Sequence, residues 1–356
     1  EVVTNDRPRI DYTDTSDGVL LLEKAATNLI TYSEDFDNAY WVKLNASVTA
    51  NAAISPSGVQ DADLLTENTA NDEHAIYKGI VGTSNTFSFY AKANGRNWVA
   101  ILSNNGNYTF FNIANGTLGT IATTSTATIE DAGNGWYRCA IFNTHGTFGA
   151  VINLATANGT TIYAGDGTSG VYIFGAMLEQ NSVASSYIPT QGSATTRVAE
   201  TASGSGNSEV FNDSEGVLFA NIAANQETNS TNARINIHNG SATEMVRLGY
   251  TTSQNQIIAV IVANGGVQAA PSTIVSNITL YNKCAIKYKA NDFALWVNGF
   301  EVGTDLSGTT PSGLNELSFE KHDGVEDFYG KTKEIGYYDT ILTDLELETL
   351  TSYKSW

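Results

Sequence analysis

Apolar and polar residues alternate in short runs through most of the chain, the period of strands that bury one face. The runs FSFYAK, NWVAIL, YTFFNI, WYRCAIF and GAVINLA fall within residues 87–155, separated by Asn-Gly, Gly-Asn-Gly or similar turns. In the first of them, period two puts Phe87 and Phe89 on one face and Ser88, Tyr90 and Lys92 on the other. A second series, EGVLFANIAA, ARINIHN, EMVRLGY, QIIAVIVA and NITLYNKCAIKYK, occupies residues 215–289. Between the two lies a seam. Val171 and Ile173 alternate with Tyr172 and Phe174, and after Leu178 the chain turns to Ser, Thr, Ala and Gly with a single Pro189, a mixture with little to bury.

Two local signals stand out. In FALWVNGFEVGT, Asn298-Gly299 supplies the two positive-φ residues that a type I′ hairpin needs between β-rich runs. Near the C-terminus, Thr343 with Glu346 forms a capping box and Leu345, Leu347 and Leu350 supply apolar positions, which predicts one helix. Short strands at this spacing mean sandwiches or jelly rolls. The expectation is an all-β chain of two tandem β-sandwich, jelly-roll domains with one short C-terminal helix. The first domain is expected over residues 1–190, a linker over 191–208 and the second domain over 209–356.

Composition narrows the function. Charged residues make up 15 % of the 356, well below the ~25 % usual in globular proteins, and 32 glycines accompany 17 Tyr, 14 Phe and 5 Trp. A net charge of −19 and a pI near 4.4 argue against nucleic acid, whose binding needs a basic footprint, and against anionic membrane surfaces. No run approaches the ~20 apolar residues of a membrane span, so no membrane insertion is expected. Cys139 and Cys284 each sit in a strand-like run and read as buried thiols. Glu1 rather than Met opens the chain, which suggests a fragment or a processed product.

Certain stretches carry a resemblance. NDFALWVNGFEVGTDLSG, NELSFEK and YGKTKEIGYYDTILTDLELETL resemble a laminin-G or concanavalin-A-like jelly roll. LLLEKAATNLITYSEDFDNAYWVKLNASVTANAAISPSGVQDADLLTE, with GNGWYRCAIF and VYIFGAMLEQ, resembles the carbohydrate-binding-module-like domain of bacteriophage head-spike and tail-fibre proteins. Their order, joined by SSYIPTQGSATTRVAE, is similar to that of phage virion adhesins. The resemblance implies a virion-surface protein whose partners are a bacterial surface polysaccharide and other virion proteins, and a homo-oligomer, a trimer. Modules of this type often hold a structural calcium, partly through an acidic residue in the last strand. Here that region reads IFGAMLE without an Asp, and no cofactor is expected.

Enzyme chemistry has no motif to stand on. His74, His145, His238 and His322 show no metal-ligand spacing, and neither a G-x-S-x-G elbow nor a P-loop occurs. Asp11, Asp14 and Asp17 read as a solvated turn rather than a calcium loop. Glycosidases of concanavalin-like fold place paired carboxylates on a strand face. Glu346 with Glu348 falls on the helix and Asp61 with Asp63 in a turn-flanked segment, while a pair assembled from distant strands stays open.

Aromatic planes remain, because sugar rings stack their C–H faces on them while Asn, Arg and Lys satisfy the hydroxyls. Of the five tryptophans, Trp136 is expected to pack the first core and Trp356 to dock or fray, and Trp41 is open between core and surface. The expected ligand-binding residues are Tyr90, Lys92, Trp98 and Arg138 in the first domain, with Trp296 a separate candidate because it alternates against Phe293, Leu295 and Val297. Three functions follow in order: a non-catalytic virion adhesin that binds a surface glycan, a depolymerase or accessory region of a polysaccharide-degrading enzyme, and a structural virion part.

Overall fold

The computed structural model describes residues 9–13, 15–79, 85–103, 107–123, 125–143, 149–226 and 232–353. Asp14, His145 and Trp356 lie outside them. Among the described residues the regular secondary structure is β apart from one short helix near the C-terminus, as the alternation predicts. The chain divides into two compact units, one made of residues 25–198 and the other of residues 1–24 together with 199–356.

The 25–198 unit is a sandwich of two six-stranded antiparallel sheets. One runs, in spatial order, Ser125–Gly133, Trp136–Asn143, Asn85–Asn94, Gly170–Glu179, Gln60–Glu67 and Ala46–Ile54. The other runs Thr117–Leu118, Tyr108–Asn112, Trp98–Leu102, Gly149–Ala155, Ala75–Gly79 and Val42–Leu44. Phe87, Phe89, Ile141 and Ile173 from the first meet Ile76, Val99, Phe111 and Ile152 from the second in one buried cluster. Period two thus holds residue by residue, and it turns Tyr90 and Lys92 to the outer face. Trp41 is also core: its ring packs on Phe36 at 5.0 Å and its Nε1 donates to the Tyr32 carbonyl at 2.8 Å.

The other unit pairs a seven-stranded sheet with a six-stranded one. The first strands of that seven-stranded sheet are Ile10–Asp11 and Val19–Leu22, and Leu20 and Leu22 stand opposite Thr332 and Gly330 of the strand Gly330–Tyr338. The expected span of the first domain is therefore corrected at its start. VLLL is an apolar run that finds its edge partner more than 300 positions away, and Leu22 joins the core of the 199–356 fold. Its exit is clipped there. Arg9 bridges Glu23 at 2.5 Å and Glu200 at 2.7 Å, and the Glu200 N–H donates to the Glu23 carbonyl at 3.0 Å. The expected linker also contributes structure, since Thr195–Arg197 pairs with Ala26–Asn28 inside the 25–198 unit.

Both local signals take the predicted form. Asn298 and Gly299 have φ of 54° and 88° between paired Val297 and Phe300. The helix spans Asp344–Thr351, with the Thr343 hydroxyl accepting from the Glu346 N–H and the Glu346 carboxylate accepting from the Thr343 N–H. Leu347 is buried beneath it, whereas Leu345 points to solvent.

Candidate binding face

The outer face of the sheet that carries Tyr90 is built in cross-strand rows. Register places Glu130, Arg138, Tyr90 and Phe174 side by side on four neighbouring strands, and Lys92 beside Tyr172 and Leu64 one step along. Phe174 is buried, while Tyr90, Lys92 and Tyr172 are half-buried. A bulge after Phe174 brings Gly175 to a φ of 63°, where an added Cβ would stand 3.0 Å from the Tyr90 ring and 3.3 Å from that of Tyr187. Glycine is what lets Tyr187 close on this row. Its ring meets Tyr90 edge-on at 6.2 Å and Phe174 at 5.6 Å.

Polar groups are fixed around these rings. One Arg138 amine donates to Ser88 Oγ at 3.0 Å and to the Ser185 carbonyl at 2.6 Å, and the guanidinium lies 5.6 Å from the Tyr90 ring centre. Arg138 Nε is buried with no hydrogen-bond partner among the described residues. The Tyr187 hydroxyl donates to Glu34 Oε1 at 2.9 Å and shares a 2.7 Å bond with Ser33 Oγ. Burial, with the Asp61 charge adding to it, pushes the Glu34 carboxyl above its ordinary pKa. Tyrosine rings set at steep angles to one another, with arginine N–H donors, an ammonium and a carboxyl near them, offer a polyhydroxylated ring apolar contact together with directional donors and acceptors.

The structure does not bring all the expected residues to this face. Tyr90, Lys92 and Arg138 share it. Trp98 stands on the outer face of the opposite sheet, beside Tyr108 and Phe110, because its strand pairs with Tyr108–Asn112 and Gly149–Ala155. Trp296 faces away from Leu295 as alternation requires, yet the Asp344–Thr351 helix covers that face, packing Leu347 on Trp296, Val217 and Phe219. Trp296 packs beneath that helix and lies apart from the candidate face. Trp136 packs on the candidate face with Phe174 and Ala62, not in the main core, and its indole donates to the Ile54 carbonyl at 3.0 Å. Since Ile54 lies on the far edge strand of the same sheet, that bond requires the Ala46–Ile54 strand to curl over the face. Register shifts on either side of Ala53 provide the bend.

Tyr172, Phe174, Tyr187 and Glu34 complete the site. The alternation of Tyr172 and Phe174 against Val171 and Ile173 carried the signal for the first two. Tyr187 sits in a Ser-rich stretch with no period, and only the close packing at Gly175 reveals it.

The Asp63 carboxyl is pushed up to about 6, mainly by burial, a range in which a carboxyl could serve as a general acid. Both its oxygens are occupied, however, by the N–H groups of Phe36 and Asn51 at 2.9 Å each, which makes it a loop anchor. Glu179, the acidic end of the last strand, is spent on the Ser185 N–H at 2.9 Å and hydroxyl at 2.7 Å and on Asn181 at 2.6 Å. Asp11 pairs with Lys331 at 2.8 Å. Among the described residues no group of three or more His, Cys, Asp or Glu is arranged to hold a metal ion. Cys139 and Cys284 are free and buried.

The chain is all-β and forms two sandwich units. No protein-family model and no curated protein matches it. It is similar in structure to the carbohydrate-binding module of a Ruminococcus gnavus intramolecular trans-sialidase, at 16 % identity and a TM-score of 0.36 over 42 % of this chain and 94 % of that one. The same module bound to α2,3-sialyllactose matches over 43 % and 97 %. Domains LG4-5 of the mouse laminin α1 chain match at 9 % identity and a TM-score of 0.30, over 75 % of this chain and 86 % of that one.

Proposed function

We propose that the chain is a glycan-binding region without chemistry of its own, which holds sugars on the outer face carrying Tyr90, Lys92, Tyr172 and Arg138. The observation that carries this reading is the pair of half-buried tyrosines, Tyr90 and Tyr172, in adjacent rows of one outer face, with the Arg138 guanidinium 5.6 Å from the Tyr90 ring centre and Lys92 beside Tyr172. Tyr90 and Tyr172 supply stacking planes, Arg138 and Lys92 donate to ring hydroxyls, and Glu34 accepts. Aromatic contacts of this kind contribute about 0.5–1.5 kcal/mol beyond area burial, so a single site is weak. Linked copies raise overall avidity by ~10²–10⁴, and the trimer suggested by the sequence resemblance would provide them.

Two settings use this same face. One is the accessory carbohydrate-binding region of a polysaccharide-degrading enzyme. The other is the virion-surface adhesin that the sequence resembles, with a bacterial surface polysaccharide as its partner. Incubating the chain with bacterial capsular and cell-wall polysaccharides, and following both retention and new reducing ends, tests the proposal. Retention without new reducing ends is the expected result. New reducing ends would overturn the non-catalytic reading, and failure to retain any polysaccharide would overturn binding.

A further inference from the structure

The second unit carries a polar constellation that its fold satisfies only in part. In its six-stranded sheet, Ile235, Ile237, Val246 and Leu248 fill the core, so alternation turns Arg234, Asn236 and Arg247 to the outer face. Register sets Asn236 between Ser318 and Arg247, and Arg234 beside Gly249 one step along. Asn236 is fully buried, yet neither its amide nitrogen nor its oxygen has a partner among the described residues. Arg247 Nε is likewise buried and unpartnered.

Charge sharpens the reading. Arg234 is 7 % exposed and donates to the Tyr250 carbonyl at 2.8 Å, and its Nε stands a loose 3.5 Å from Glu326 Oε2. Burial pulls both guanidinium groups below their ordinary pKa, and among the described residues the Glu326 charge opposes that shift in each. Two buried or half-buried cations therefore share one anion. Glu326 itself is held at a φ of 54°, and every other non-glycine residue with positive φ among those described is an asparagine. Arginine forks match planar carboxylates through two parallel N–H bonds. Along the Gln256–Ala263 strand, Ile258, Val260 and Val262 continue the face as an aliphatic strip.

We propose that Arg247, Arg234 and Asn236 form a second binding site, which takes an acidic sugar. The sugar's carboxylate completes the charge balance between the two arginines, the Asn236 amide bonds a neighbouring hydroxyl or amide, and the ring's apolar edge lies on the aliphatic strip. Glu326 occupies part of the carboxylate's place and weakens binding. This site does not depend on the tyrosine face of the other unit.

Calorimetric titration of the full chain with glucuronate, galacturonate and N-acetylneuraminate, with lactose as the neutral control, tests the assignment. At least one acidic sugar should bind and slow hydrogen exchange in 233–250, and lactose, whatever it does at the tyrosine face, should leave that segment unchanged. Arg247→Lys, which keeps the charge but loses the fork, should weaken that binding about tenfold, and Glu326→Gln should strengthen it severalfold. Hydrogen exchange with the bound sugar should slow in peptides covering 233–250 and 316–329. Absence of binding by all three acids, equal affinity for Arg247→Lys, or protection confined to the Tyr90 sheet would overturn the site.

Discussion

Leu22→Ala is predicted to destabilise the unit that lies far from it in sequence and to spare the one that begins three residues later. Leu22 is 4 % exposed and packs in the same cluster as Leu218, Ile222 and Phe328. Truncation removes about three methylene equivalents at ~0.8 kcal/mol each, and the cavity left behind brings the cost to about 2–5 kcal/mol. A domain of this size is stable by about 5–15 kcal/mol, and urea slopes of about 1–3 kcal/mol per molar turn the loss into a midpoint about 1–2 M lower. Hydrogen exchange by mass spectrometry across a urea series separates the units, because peptides covering 217–224 and 284–288 report one and those covering 87–91 and 139–141 the other. Only the first pair should unfold at lower urea. A shift confined to the second pair, or no shift in either, would refute the assignment of residues 9–24 to the 199–356 fold.

Further tests follow from individual contacts. Leu347→Ala, beneath the C-terminal helix, should cost about 2–5 kcal/mol in urea unfolding, whereas Leu345→Ala, exposed on the same helix, should cost less than about 0.5 kcal/mol. Gly299→Ala should cost about 1–2 kcal/mol, because φ is 88° and an added Cβ would stand 2.8 Å from Ser352 Oγ. For Asp63 the folded pKa of about 6 lies above the ordinary 3.8, so in that interval the folded state binds more protons than the unfolded. Stability of the 25–198 unit should therefore fall as pH rises from about 4 to about 6 and level off above that. Denaturation midpoints across this range check the sign, and Asp63→Asn should remove the slope.

Much of the fold was legible because period-two alternation is a local property. Phe87 and Phe89 against Tyr90 and Lys92, the Asn298-Gly299 turn, and the Thr343–Glu346 cap are all decided within a few residues. Long-range pairing is not. Nothing in VLLL says that it joins the strand Gly330–Tyr338 rather than its sequence neighbours, so a local reading keeps it with the first domain while the structure pairs it with the last strand of the other unit. The site divides in the same way. Alternation gave the direction in which Trp296 points but not the helix lying over it, and Trp98 needed strand order to be placed on the opposite sheet. Tyr187 and Asn236 become legible only from what surrounds them: a glycine that admits one ring, and an amide left without partners.

Affinity electrophoresis of Tyr172→Ala against the unaltered chain, in gels containing a neutral polysaccharide that the chain retains, tests glycan binding at the tyrosine face most directly. Tyr172 is half-buried on that face, so its melting temperature should stay within a few degrees of the unaltered chain's. The account predicts that the unaltered chain is retarded in the polysaccharide gel and that Tyr172→Ala migrates there as it does in plain gel. Equal retardation of the two would contradict it.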